Sequence, residues 1–94
     1  MNVRVVRFTD VSPDQLNAML DRVKREEGPR EAMRFARLEV LHDADAATAV
    51  VVQRYDTESD LEEAARVLAA MDPLETPGRR ASVDVCEQVL DLTP

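Results

Sequence analysis

The order of hydrophobic periods constrains this chain more than any other feature: strand, helix, strand, strand, helix, strand, filling nearly all of its 94 residues. Two-residue alternation gives way to helical spacing and back again, and the changes fall at recognisable caps and turns. Few architectures accept that order in so short a chain.

Val3, Val5, Val6 and Phe8 predict strand one, ended by Thr9 and Asp10. Apolar residues occupy both parities of this run, so its facing stays open. Ser12-Pro13-Asp14-Gln15 supplies an N-cap serine, a proline at the first helical position and a glutamine three residues after the cap. Leu16, Met19, Leu20 and Val23 then form the buried stripe of helix one, which is expected to end near Gly28-Pro29. Residues 34–42 and 47–55 alternate as strands two and three, joined through Asp43-Ala44-Asp45-Ala46. With His42 opposite Ala47, one face carries Ala36, Leu38, Val40, Ala49 and Val51. The other carries Phe35, Arg37, Glu39, Leu41, Thr48, Val50, Val52 and Arg54.

Thr57 caps a second helix with Glu58 and Asp60 in its first turn, favourable at the positive end of the helix dipole. Its stripe is Leu61, Ala64, Ala65, Leu68 and Met71, and Asp72-Pro73 is expected to stop it. A loop containing two prolines and a glycine leads to strand four at 80–90. There Ala81, Val83, Val85 and Val89 alternate with Ser82, Asp84, Cys86 and Gln88. Right-handed crossovers fold this order into an antiparallel four-stranded sheet, 4-1-3-2, with both helices on one face. The expectation is an α+β, ferredoxin-like βαββαβ fold forming one domain over residues 1–94.

Composition sets the remaining bounds. The net charge of −7 argues against nucleic acid or an anionic membrane as partner, since both call for a basic footprint. With two Phe, one Tyr and no Trp, the core must be aliphatic, and the sheet lacks the stacking aromatics of an RNA-recognition domain. Cys86 is the only cysteine, which excludes an intrachain disulfide and suits a reducing compartment. No leader-like or membrane-spanning apolar run is present, so a cytoplasmic location is expected.

The face that no helix covers mixes Phe35, Leu41, Val50 and Val52 with Arg37, Glu39, Arg54, Asp84 and Cys86, as an interface enclosing a partly polar cavity would. The segments Val52-Gln53-Arg54-Tyr55-Asp56-Thr57-Glu58-Ser59 and Ala81-Ser82-Val83-Asp84-Val85-Cys86-Glu87-Gln88-Val89 resemble the dimeric α/β-barrel proteins related to the antibiotic-biosynthesis monooxygenase superfamily. That resemblance implies a homodimer with a barrel-like cavity in each protomer. It also implies small-molecule binding, with cofactor-independent monooxygenase or isomerase chemistry on a small aromatic compound among the superfamily's activities. Haem degradation is not expected, because the chain has no Trp and no counterpart to the family's Asn, Trp and His set.

Arg37, Arg54 and Asp84 are the expected ligand-binding residues, with Tyr55 at the rim. Their charges need either one another or a ligand. Mutual pairing alone would make the sheet face a dimer interface and the protein a non-catalytic interaction module. His42 at a strand end beside Asp43 and Asp45 reads as solvated, and one histidine with loose carboxylates does not make a metal site. Cys86 has no base assigned beside it and is expected to be a buried, inert thiol. The loop Met71-Asp72-Pro73-Leu74-Glu75-Thr76-Pro77-Gly78, stiffened by prolines, would serve as a lid or a dimer contact. No cofactor is expected.

Overall fold

Ser12 and Thr57 begin the two helices as their side chains dictate. Ser12 Oγ accepts from the Gln15 amide at 3.5 Å, and Thr57 Oγ1 accepts from the Asp60 amide at 3.1 Å. Each such cap contributes about 1 kcal/mol. In the computed structural model, which describes residues 1–25, 34–70 and 76–94, the elements are β1 (Asn2–Thr9), α1 (Pro13–Lys24), β2 (Arg37–Asp43), β3 (Thr48–Tyr55), α2 (Glu58–Ala69) and β4 (Arg79–Glu87). Every strand pair is antiparallel and the sheet order is β2-β3-β1-β4, the expected 4-1-3-2 read from the other edge. Helix α1 closes at Arg25, whose amide donates to the Asp21 carbonyl at 3.1 Å. The expected stops at Gly28-Pro29 and Asp72-Pro73, the stripe residue Met71 and most of the stiffened loop lie outside the described residues.

Pairing register decides the layers. Val6 lies opposite Val51, Phe8 opposite Ala49 and Val40 opposite Val51, all on the helix side. Val6, Phe8, Ala49 and Val51 make the main core with Val11 and Leu16, and Met19, Leu20, Leu38 and Val40 pack against it. A second cluster of Tyr55, Leu61 and Ala64 lies under α2, with Phe35 and Leu68 against it. Each fully buried aliphatic side chain contributes roughly 1.5–3 kcal/mol, which suffices for a small aliphatic core.

The hairpin differs from expectation by two residues. His42 pairs with Ala49, not Ala47, and the turn at 44–47 is closed by Asp43 Oδ1, which accepts from the Ala46 amide at 3.1 Å. Ala47 turns the chain at φ 53°. A shift of two preserves the face assignments within the paired strands, because side chains alternate with a period of two; Ala36, expected on the helix face, lies before β2, is exposed and lines the open-face cavity instead. Phe35 departs further: β2 begins only at Arg37, so alternation does not govern Phe35, and its ring joins the cluster under α2 instead of the open face.

Strand β4 holds the other corrections. It ends at Glu87, leaving Val89 beyond the ladder and 90 % exposed. The register shifts between Arg7 and Phe8, with Arg7 opposite Ser82 and Phe8 opposite Arg80, so Ala81 is the extra residue of a bulge. Upstream of it, Arg80 lies on the helix side, where its Nη2 donates to the Leu68 carbonyl of the last turn of α2 at 3.3 Å. The aliphatic face of β4 does point to the helix side, yet Val83 and Val85 remain 41 % and 63 % exposed because the helix layer stops short of this edge. Cys86, expected to be buried, is exposed for the simpler reason that the open face has no second layer in the single chain.

Candidate functional site

Across the open face the register lines up side chains in rows. Arg37, Arg54, Val3 and Cys86 form one row; Glu39, Val52, Val5 and Asp84 form the next; Leu41, Val50, Arg7 and Ser82 form the third. Two arginines directly opposite each other repel. Glu39 offsets this from the adjacent row, its Oε1 lying 3.1 Å from Arg54 Nε and 3.5 Å from Arg37 Nε. Arg54 Nη1 also donates to Gln88 Oε1 at 3.1 Å. Gln88 follows β4 and Arg54 is on β3, so this bond passes over β1, where Val3 is buried. The Gln88 amide itself donates to the Met1 carbonyl at 2.9 Å, which fixes the start of the C-terminal tail.

A cavity of about 570 Å³ opens at this end of the sheet, walled by Arg37, Glu39 and Arg54 on one side and by Gln88, Leu90, Asp91 and Leu92 of the tail on the other. Arg54 is held by two bonds and is partly buried, whereas Arg37 is largely exposed and held only by its ion pair with Glu39. The pairs are solvent-screened, so their contribution to stability is small, about 1 kcal/mol or less. They set two guanidiniums and one carboxylate beside a tail segment of mixed polar and apolar residues.

Of the residues expected to bind a ligand, the structure brings Arg37 and Arg54 together and keeps the other two apart from them. Asp84 is on the same face in the row of Glu39 but two strands from Arg54 and three from Arg37, exposed and outside the cavity lining. Tyr55 is on the opposite side of the sheet, fully buried beneath α2, because it shares the parity of Ala49 and Val51. Burial pushes its phenol above the ordinary value of 10.0; Arg4 opposes and Asp60 adds to the rise. His42 is exposed near the end of β2.

Sequence reasoning placed Glu39 on this face beside Arg37 and Arg54, and missed Gln88 as the tail's anchor and Arg4. The last belongs to the helix side, where its Nη1 donates to Gln53 Oε1 at 2.9 Å and the residue is buried. Val6 and Phe8 share its parity, but Val3 and Val5 on the other parity leave the core side of β1 undecided in the sequence.

No family model matches the sequence, and no curated protein matches it. Solved structures do match along its whole length. A protein from Mycobacterium tuberculosis is 20 % identical, with 99 % of this chain and 100 % of that one covered at a TM-score of 0.60. The same fold is seen in solved structures named as antibiotic biosynthesis monooxygenases. A protein of that name from Chloroflexus aurantiacus is 9 % identical over 98 % of this chain and 96 % of its own, TM-score 0.63. Another from Deinococcus radiodurans is 8 % identical, with both chains fully covered, TM-score 0.55. At these identities the likeness is one of backbone architecture. Among the described residues, no helix is long and apolar enough to cross a membrane.

Proposed function

We propose that this chain forms a homodimer through the face without helices and binds a small, partly aromatic molecule in the cavity beside Arg54. The observation that carries the reading is the Arg37–Glu39–Arg54–Gln88 cluster on the wall of a cavity of about 570 Å³. That volume lies within the range of roughly 300–1,000 Å³ common for small-ligand pockets. Val5, Val50 and Val52 are only half-buried on the same face and Leu41 is 56 % exposed, so a second sheet stacked there would remove apolar surface from water. The names of the matching structures support a monooxygenase-type reaction, and the lone, exposed Cys86 suits a cytoplasmic setting.

A guanidinium fixed by two bonds favours a phenolate or carboxylate over the neutral acid. In cofactor-independent oxygenation of a phenol, the bound phenolate supplies the electrons. One atom of dioxygen becomes the second carbonyl of a quinone, the ring loses its hydrogen there, and the other atom leaves as water. An isomerase would use the same anion stabilisation without oxygen. One observation favours a non-catalytic binding module instead: Glu39 Oε1 is shared by both guanidiniums, and the cavity lining contains neither His, Cys nor Tyr.

Light scattering at micromolar concentration should give twice the chain mass, and a stable monomer would end the dimer reading. Calorimetric titration with phenols, hydroquinones and aromatic carboxylates should find a ligand whose affinity falls about tenfold or more in Arg54→Ala. An unchanged affinity would remove Arg54 from the site. Oxygen uptake with the bound phenol separates catalysis from binding.

A further inference from the structure

The helix side of the sheet holds a positive charge that no carboxylate among the described residues balances. Register puts Arg4 between Gln53 on β3 and Val85 on β4, beneath the helix layer and only 4 % exposed. One of its N–H groups reaches Gln53 Oε1, while Nε is enclosed and has no acceptor among the described residues. Among the described residues no carboxylate pairs with it, and Arg80 adds charge of the same sign. Burial, reinforced by Arg80 and opposed by Tyr55, holds its proton affinity below the usual value for arginine. A buried guanidinium without a counterion is strongly unfavourable, so the folded chain has reason to recruit one. The approach is short. Val85, directly across from Arg4, is 63 % exposed, and its neighbour on the same face, Val83, is 41 % exposed, which leaves Arg4 one strand in from an uncovered edge.

We propose that Arg4 and Gln53, in the field of Arg80, form an oxyanion site on the helix side of the sheet, separate from the Arg54 cavity on the other face. Its ligand is a carboxylate or a phosphate, whose paired oxygens match the Nε and Nη donors of one guanidinium. The two sources of such an oxyanion, an organic acid and inorganic phosphate, are told apart by titration.

The test uses ¹⁵N-labelled protein and the arginine Nε–H resonances, with acetate, inorganic phosphate or chloride added at matched ionic strength. One protected Nε–H should shift saturably with acetate or phosphate and not with chloride. That resonance should be missing from Arg4→Met and retained in Arg54→Met. In melts, Arg4→Met should be the more stable protein in chloride, because it removes an unbalanced charge. The oxyanion that shifts the resonance should narrow or reverse this advantage, since at about 100 times its dissociation constant it raises the wild-type midpoint by several degrees. No saturable shift, equal response to all three anions, or an advantage of Arg4→Met independent of the anion would each overturn the site. Should Arg4→Met not fold, the wild-type titration still decides.

Discussion

Replacing Gly78 with alanine should destabilise the protein because of where β1 ends, and not because of the glycine's own dihedral angles, which need no left-handed conformation. A β-carbon at position 78 would lie 2.5 Å from the Thr9 carbonyl oxygen, 3.0 Å from that of Asp10 and 3.1 Å from the Asp10 carbonyl carbon, where ordinary contact begins at 3.4 Å. All three atoms are backbone, so no rotamer change relieves the clash, and the chains must separate by about 0.9 Å. The neighbourhood resists. Thr76 Oγ1 donates to the Gly78 carbonyl at 2.7 Å, the Ser12 amide donates to the Pro77 carbonyl at 3.3 Å, and Arg79 pairs with Thr9. Overpacking costs about 1–3 kcal/mol. Losing the Ser12–Pro77 bond adds about 1 kcal/mol, for a total of roughly 2–4 kcal/mol. In a domain of this size that lowers the melting midpoint by roughly 8–30 °C. Urea unfolding should show a reduced midpoint concentration with an unchanged slope, and Gly78→Ser should behave alike. A wild-type midpoint for Gly78→Ala would refute the close seating of this segment on Thr9 and Asp10.

Val52→Asp should weaken self-association, read as a shift toward the monomer on dilution, because a carboxylate in the centre of the open face would be desolvated without a partner. Thr57→Ala should lose about 1 kcal/mol in urea unfolding by removing the acceptor for the Asp60 amide; no loss would mean that the cap is dispensable. Tyr55 makes stability sensitive to alkali. Its folded phenol titrates above the ordinary 10.0, so the folded state holds the proton more tightly. This stabilisation is fully present below pH 10.0 and is lost as pH rises through the folded value. Unfolding free energies at about pH 9 and about pH 11 should therefore diverge in the wild type and much less in Tyr55→Phe. Equal pH slopes in the two proteins would count against it.

Local chemistry was readable in the chain; coverage was not. Ser12 and Thr57 announce helix starts because a cap involves only the next three residues. The faces of β2 and β3 survive a misplacement of two residues, since Arg37, Glu39 and Arg54 depend only on parity. Parity also places Tyr55 with Ala49 and Val51, so its position under α2 could have been read directly. Phe35 marks the failure of extending alternation past the point where a strand begins. For β1, valines on both parities hide which side is core, and with that they hide Arg4. Val83 and Val85 show the deeper limit: alternation says which way a side chain points, while the reach of the helix layer decides whether anything lies above it. The cavity, likewise, needs the tail to double back so that Gln88 meets Arg54 across β1, a long-range contact with no local signature.

The bulge at Ala81 reverses the facing rule of strand β4 part-way along its length. Downstream of it, odd-numbered residues such as Val83 and Val85 point toward the helices; upstream, the extra residue inverts the rule and sends Arg80 there instead. Deleting Ala81 would place Arg80 directly next to Ser82 in an unbroken ladder, still opposite Phe8 and still on the helix side. Drawing Ala81 into the ladder without removing it would do the opposite and carry Arg80 through the sheet. The final carbonyls of α2 would then lose the cation that now sits on Leu68, and a new positive charge would enter the surface proposed to meet a second copy. Removal of position 81 should therefore be tolerated, because the residue the bulge sets aside is one the ladder does not use.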